Sequence, residues 1–170
     1  MIEMITCPKC GREIEEQSYF CKFCGTTIGL GTRSANNESE LRLTIDKRLN
    51  AIKTRDEETI NSLLEKGQYT KFDDWPPFNL QDSTEALENE RGAYKVIQKY
   101  DYEIKYYKEE QFSDFGLAAF QIHYWGTIRN QDFDVDSRVT IILKKLEQKW
   151  RIVHEHWSRF PEKRQRKGLF

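Results

Sequence analysis

From Ser39 onward, apolar residues recur at helical spacing. Leu41, Ile45, Leu49 and Ile52 fall at steps of four, four and three, which lines them up along one helix face. Asn37, with Glu40 three residues later, marks the start of that helix. Thr54-Arg-Asp-Glu57 has the spacing of a capping box and opens a second helix carrying Ile60, Leu63 and Leu64, closed by Gly67. Residues 68–82 lose the periodicity: Pro76-Pro77 excludes helix, and Trp75 and Phe78 read as apolar plugs. Asp82-Ser-Thr-Glu85 caps a third helix, with Ala86, Tyr94 and Ile97 near one face beside Leu87 and Ala93.

After Tyr100 the period shortens to two. Tyr102–Phe112, Leu117–Ile128, Phe133–Leu146 and Trp150–Ser158 are rich in aromatic and β-branched residues and are joined by short polar turns. Links that short imply antiparallel hairpins. Helices first and strands afterwards predict an α+β domain. The second of these strands is apolar on both faces, with Phe120, Ile122 and Tyr124 on one and Leu117, Ala119 and Trp125 on the other. One face covers the helices; the other calls for a partner, and a second copy of the chain is the simplest.

Ahead of this domain all four cysteines lie within 24 residues, as Cys7-Pro-Lys-Cys10-Gly11 and Cys21-Lys-Phe-Cys24-Gly25. Two residues between sulfurs let one tight turn present both thiolates to a single ion, and the glycine after each pair tolerates positive φ. Two such knuckles make a closed, tetrahedral, structural site. Ile14, Tyr19, Phe20 and Phe23 are too few to form a core for so short a segment, so the metal supplies its folding energy. Zinc is the expected ion, and iron suits the same thiolates. The segment resembles the short zinc ribbons that precede many prokaryotic domains. That resemblance implies a docking surface for another protein.

The expected organisation is therefore a ribbon over 1–28, a linker over 29–38, an α+β domain over 39–160 and a basic tail over 161–170. The linker is small, polar and aperiodic. The chain carries 27 Lys+Arg against 28 Asp+Glu, with a net charge near +3 in the last ten residues. A basic terminus without a basic face over the domain argues against nucleic acid as the partner. No basic n-region or apolar stretch marks a leader, and no run is long enough to span a bilayer, so a cytoplasmic protein is expected.

Three helices followed by long strands, ending in Trp150-Arg-Ile-Val-His-Glu-His-Trp-Ser158 after Val139-Thr-Ile-Ile-Leu143, resemble the SnoaL-like members of the NTF2-like superfamily. The resemblance implies three helices packed on a curved antiparallel sheet, closed into a cone around an apolar pocket. It implies isomerase, dehydratase or cyclase chemistry in some members, and transport or assembly without catalysis in others.

Two function classes therefore stand. The first is a module that binds a small apolar ligand or a protein. The second is an enzyme in which His154, His156 or His123 moves protons, since imidazole titrates near neutrality. His154 and His156 are two apart on a strand and share a face; Glu155 takes the other, where an arginine such as Arg138 or Arg129 would pair with it. Trp75, Tyr94, Tyr124 and Glu155 are the candidate pocket residues, with Tyr69 as a further aromatic. Asp132-Phe-Asp-Val-Asp136 opens like a calcium loop, but Ser137 and Leu143 stand where the loop needs Gly and Glu. That reading fails.

Overall fold

The computed structural model describes residues 4–7, 9–15, 21–24 and 39–161. Asn37, Tyr19, Phe20, Gly25, the linker over 29–38 and the tail beyond residue 161 lie outside them. The chain divides into two units, Met1–Glu38 and Ser39–Phe170. Among the described residues, no helix is long and apolar enough to cross a membrane.

In the first unit, β1 (Met4–Thr6) pairs antiparallel with β2 (Glu13–Glu15). Between them, Gly11 N–H donates to the Cys7 carbonyl and Cys7 N–H to the Arg12 carbonyl, both at 2.9 Å. Gly11 takes φ +71°, the left-handed turn conformation that favours glycine. Cys7, Ile14 and Cys21 are buried together, with Ile5 and Cys24 packed against them.

The second unit begins with α1 (Glu40–Thr54), whose stripe of Leu41, Ile45 and Leu49 is fully buried. Its cap is Ser39 rather than Asn37: the Ser39 hydroxyl accepts the Arg42 N–H at 3.0 Å. Thr54 likewise does not open the second helix. It closes the first, donating its hydroxyl proton to the Asn50 carbonyl. Asp56 caps α2 (Glu57–Leu63) instead, accepting from Thr59 N–H at 3.0 Å. That helix stops before Gly67 because Leu64 turns extended and bridges to Ile152, so sheet pairing overrides local propensity. The box at Asp82 and Glu85 forms as expected and opens α3 (Ser83–Tyr94). Ile97 falls outside that helix and begins a strand.

Four long strands follow: β5 (Ile97–Phe112), β6 (Phe115–Ile128), β7 (Gln131–Leu146) and β8 (Lys149–Arg159). The segment expected to be irregular contributes two more, β3 (Thr70–Phe72) and β4 (Leu80–Asp82). The sheet order is β4-β3-β8-β7-β6-β5. Because β3 runs parallel to β8, the sheet is mixed rather than purely antiparallel. Three residues without side-chain alternation are too short for a sequence pattern to reveal.

Helices cover one face of the sheet. Phe120, Ile122, Tyr124, Val139, Ile141, Leu143 and Ile152 point into them and are buried. At Gly116 a Cβ would overlap the Leu41 side chain, so a larger residue would force Leu41 to move where α1 settles on β6. The opposite face carries Phe112, Phe115, Leu117 and Trp125, all large, apolar and exposed.

A bulge in β8 decides what the inner face contains. Leu143 pairs with Ile152 but Ile142 with His154, so Val153 is an extra residue. The insertion reverses side-chain parity. Trp150 and Ile152 point inward before it, and Glu155 and Trp157 after it. His154 and His156 are thereby turned to the outer face.

Candidate functional site

Between the helices and the inner face of the sheet lies a cavity of about 330 Å³. That is within the size range of small-molecule sites. Its walls are largely aromatic: Trp75, Tyr94, Tyr100, Tyr124, Phe133 and Trp157. Tyr100 stacks on Tyr124 with ring centroids 5.9 Å apart, and Trp75 meets Phe133 edge-on at 5.7 Å. Ring packing of this kind holds the wall rigid. The loop after β3 delivers Asp73, Asp74, Trp75 and Pro76 to the cavity, while Lys71 and Glu90 reach it from β3 and α3.

Asp74 has the most unusual environment. Its residue is 5% exposed, and its Oδ2 accepts hydrogen bonds from the Tyr124 hydroxyl at 2.7 Å and from the Ser137 hydroxyl. Tyr124 in turn accepts from Trp75 Nε1 at 2.9 Å, so indole, phenol and carboxylate form one chain. Burial pushes the Asp74 carboxyl above its usual range; the two hydroxyls pull it back, and the neighbouring Asp73 pushes it further up. The Tyr124 phenol is raised by burial and by the adjacent Asp74 charge.

Beside Asp74 runs a second, fully ionic network. Arg48 is 0% exposed and donates through Nε to Glu155 Oε1 at 2.8 Å and through Nη2 to Glu90 Oε1 at 2.5 Å. Lys71 Nζ bridges Glu90 at 2.9 Å and Asp73 at 2.7 Å. Tyr69 and Trp157 Nε1 complete the shell of Glu155 at 3.1 and 2.9 Å. Burial would raise the Glu90 carboxyl, but Arg48 and Lys71 hold it well below the usual carboxylate range. Burial would likewise strip the proton from Lys71, and Asp73 and Glu90 reverse that. Arg48 and Lys71 thus tie Glu155, Glu90 and Asp73 together by direct ion pairs.

Of the sequence-predicted pocket residues, Trp75, Tyr94 and Tyr124 line the cavity. Glu155 lies behind it, within the ionic network, and its arginine is Arg48 on α1 rather than Arg138 or Arg129. None of the three histidines lines the cavity. His154 Nδ1 is 2.9 Å from Thr70 Oγ1 and, with His156, packs on Phe72. His123 sits two strands away, bonded through Nδ1 to Asp136 at 3.0 Å and leaning on Trp125. The bulge at Val153 is the reason for the first two, because it sends Glu155 rather than the imidazoles inward.

Sequence reading missed Asp74, Lys71, Glu90 and Arg48. One signal was present: Arg48 stands three residues after Ile45 and one before Leu49, a charge inside the apolar stripe of α1. Such a charge has to be paired when it is buried.

In the first unit, Cys7 Sγ lies 3.7 Å from Cys24 Sγ, and Cys10 Sγ lies 3.6 Å from Cys21 Sγ. All four sulfurs fall within 4.8 Å of one another. A disulfide needs about 2.05 Å. Four thiolates around an ion at about 2.3 Å would stand about 3.8 Å apart, so the spacing fits a tetrahedral metal site. Such an ion would supply architecture, since all four positions are filled by protein.

A family model for the SnoaL-like domain matches residues 41–162, and the chain belongs to that family. No curated protein sequence matches it. Among solved structures it is similar to an NTF2-like superfamily protein from Salmonella enterica, at 20% identity and TM-score 0.65, over 76% of this chain and 94% of that one. An NTF2-like protein of unknown function from Pseudomonas putida aligns at 19% identity and TM-score 0.65, over 78% and 93%. A provisionally assigned ketosteroid isomerase from Shewanella frigidimarina aligns at 16% and TM-score 0.60, over 71% and 96%. At these identities the likeness establishes the NTF2-like fold alone.

Proposed function

With a SnoaL-like chain as the premise, we propose that the second unit binds a small, largely apolar molecule in its aromatic-walled cavity, oriented by Asp74. The observation that carries this reading is the cavity itself: about 330 Å³, with aromatic walls and a buried carboxyl held by the hydroxyls of Tyr124 and Ser137. Its test is a ligand screen by heteronuclear NMR on the full chain. Shifts confined to the Trp75 and Trp157 indoles and to residues around Asp74 support it. Shifts scattered over the surface, or none, refute it.

A second reading, acid–base catalysis, is favoured by one observation. Burial and the neighbouring Asp73 raise the Asp74 carboxyl, the direction a proton-transferring acid requires, and the Tyr124 hydroxyl lies 2.7 Å from it. Asp74 and Tyr124 would then carry the chemistry instead of His154, His156 and His123. Replacing Asp74 by Asn would abolish turnover of a substrate found by the screen, and replacing His154 and His156 by Gln would not.

Outside the cavity, the second unit is proposed to form a homodimer through its outer sheet face. NTF2-like domains commonly dimerise, and charges on this face are sorted for a twofold. Glu103, Asp132, Asp134 and Asp136 gather towards the β6–β7 turn, where Lys99 is an exception, and Lys108, Lys144 and Arg151 towards the other end, where Glu110 is an exception. A twofold axis across the middle sets acid on base and covers Phe115, Leu117 and Trp125. The first unit is proposed to hold one structural zinc on Cys7, Cys10, Cys21 and Cys24 and to act as a docking module for another protein, with the whole chain in the cytoplasm.

A further inference from the structure

The charges around the cavity do not balance, and the imbalance has a location. Arg48 and Lys71 are the buried cations, and they are shared among Glu90, Glu155 and Asp73. That already leaves one carboxylate in excess. Asp74 adds another, and among the described residues its partners are the hydroxyls of Tyr124 and Ser137 and the neighbouring carboxyl of Asp73. Hydroxyls satisfy its lone pairs without supplying positive charge. A buried carboxylate in that position is missing a counter-ion.

The walls around it favour the same kind of guest. Trp75, Tyr100 and Phe133 line the same cavity as Asp74, with ring centroids 5.7 Å apart for Trp75–Phe133 and 6.4 Å for Tyr100–Phe133. Aromatic faces that line a cavity attract a cation through their quadrupoles, and more strongly once water is excluded. Trp75 already does so on the protein's own behalf: the Arg159 guanidinium lies over its ring at 4.3 Å. Arg159 is exposed and does not line the cavity, and Arg129 lines it without an ion-pair partner among the described residues. Both would repel a cation at a distance, so the attraction must come from the carboxylates inside.

We propose that the guest is a small organic cation, an amine with an apolar body, whose ammonium group lies against Asp74 within the ring of Trp75, Tyr100 and Phe133. This rests on the cavity being a ligand site, and specifies the class of ligand. The raised Asp74 carboxyl is consistent with it: a bound ammonium would return that group to the ionised form, so binding releases a proton near or below the raised value.

The test is calorimetric titration of the full chain with three probes of one shape: phenethylamine, 2-phenylethanol and 3-phenylpropionate. Phenethylamine is expected to bind at least about tenfold more tightly than the alcohol, with no binding of the carboxylate. Asp74→Asn should remove the amine's advantage over the alcohol. Arg159→Gln, at an exposed position, should tighten the amine about twofold to threefold by removing a like charge from the mouth. That arm stands even if the Asp74 variant does not fold. Equal binding of amine and alcohol, or tighter binding of the carboxylate, overturns the cation proposal and leaves the cavity reading intact. Failure of all three probes at millimolar concentration overturns both.

Discussion

The two units of this chain solve the same problem with opposite means. In the first, the buried described residues are Cys7, Ile14 and Cys21, a core too small to offset the entropy of ordering a chain. Its order is concentrated at four sulfurs within 4.8 Å of one another. In the second, helices and a six-stranded sheet bury an extended apolar core, and the unit can carry a completely buried arginine as well. In the first unit order converges on one sulfur cluster; a large core has stability to spare and can hold charges and a cavity in its interior.

The comparison breaks most visibly if the metal is removed. Chelation should collapse the amide spectrum of the first unit, since structural zinc contributes on the order of 10 kcal/mol to small modules, while the melting of the second unit stays unchanged. Elemental analysis should find about one ion per chain and tell zinc from iron. Persistence of a dispersed first-unit spectrum without metal would show that its apolar contacts suffice.

Next in size is Arg48→Met. It strands Glu155 and Glu90 without their shared cation and should cost about 3–5 kcal/mol in chemical denaturation of the second unit. Adding Glu155→Gln to that variant should recover part of the loss, because the uncompensated charge is gone. A cost below about 1 kcal/mol for Arg48→Met would mean water reaches the network.

Leu117→Glu tests the outer face. It should weaken self-association by at least about tenfold, measured by sedentation equilibrium, with the monomer's fold unchanged. A wild-type chain that is monomeric at tens of micromolar ends the dimer proposal.

The smallest expected effect concerns pH, and its sign differs between two carboxyls in one interior. Glu90 is held below its ordinary value, so its contribution is present above the usual carboxylate range and fades as pH falls towards its folded value. Asp74 is raised, so the folded state binds its proton more tightly than the unfolded chain, and its ionisation costs stability as pH rises through that window. Asp74→Asn should therefore compare better with the wild type at pH 7 than at pH 4. Parallel pH profiles for the two proteins would show that Asp74 is solvated.

What could be read directly from the residues was whatever depends on neighbours in the chain. The apolar stripe of α1, the Asp82–Glu85 box and the alternation of β5 to β8 are local periodicities. So is the Cys-x-x-Cys spacing of each knuckle, although it is the fold of the first unit that brings the two pairs together. The site was legible in part: Trp75, Tyr94 and Tyr124 stood out as aromatics in need of burial, while Asp74 looked like one more acid in a polar loop. Its importance arises only when β3 pairs with β8 and carries the loop against Tyr124 and Ser137, contacts 50 and 63 residues away. The Val153 bulge is of the same kind. A strand's pattern states which residues alternate, but the register with β7 decides which set faces inward, and one inserted residue exchanged Glu155 for the histidines. Electrostatics followed from that exchange, because a carboxylate turned inward has to find a buried cation, and Arg48, 107 residues earlier, is the one within reach.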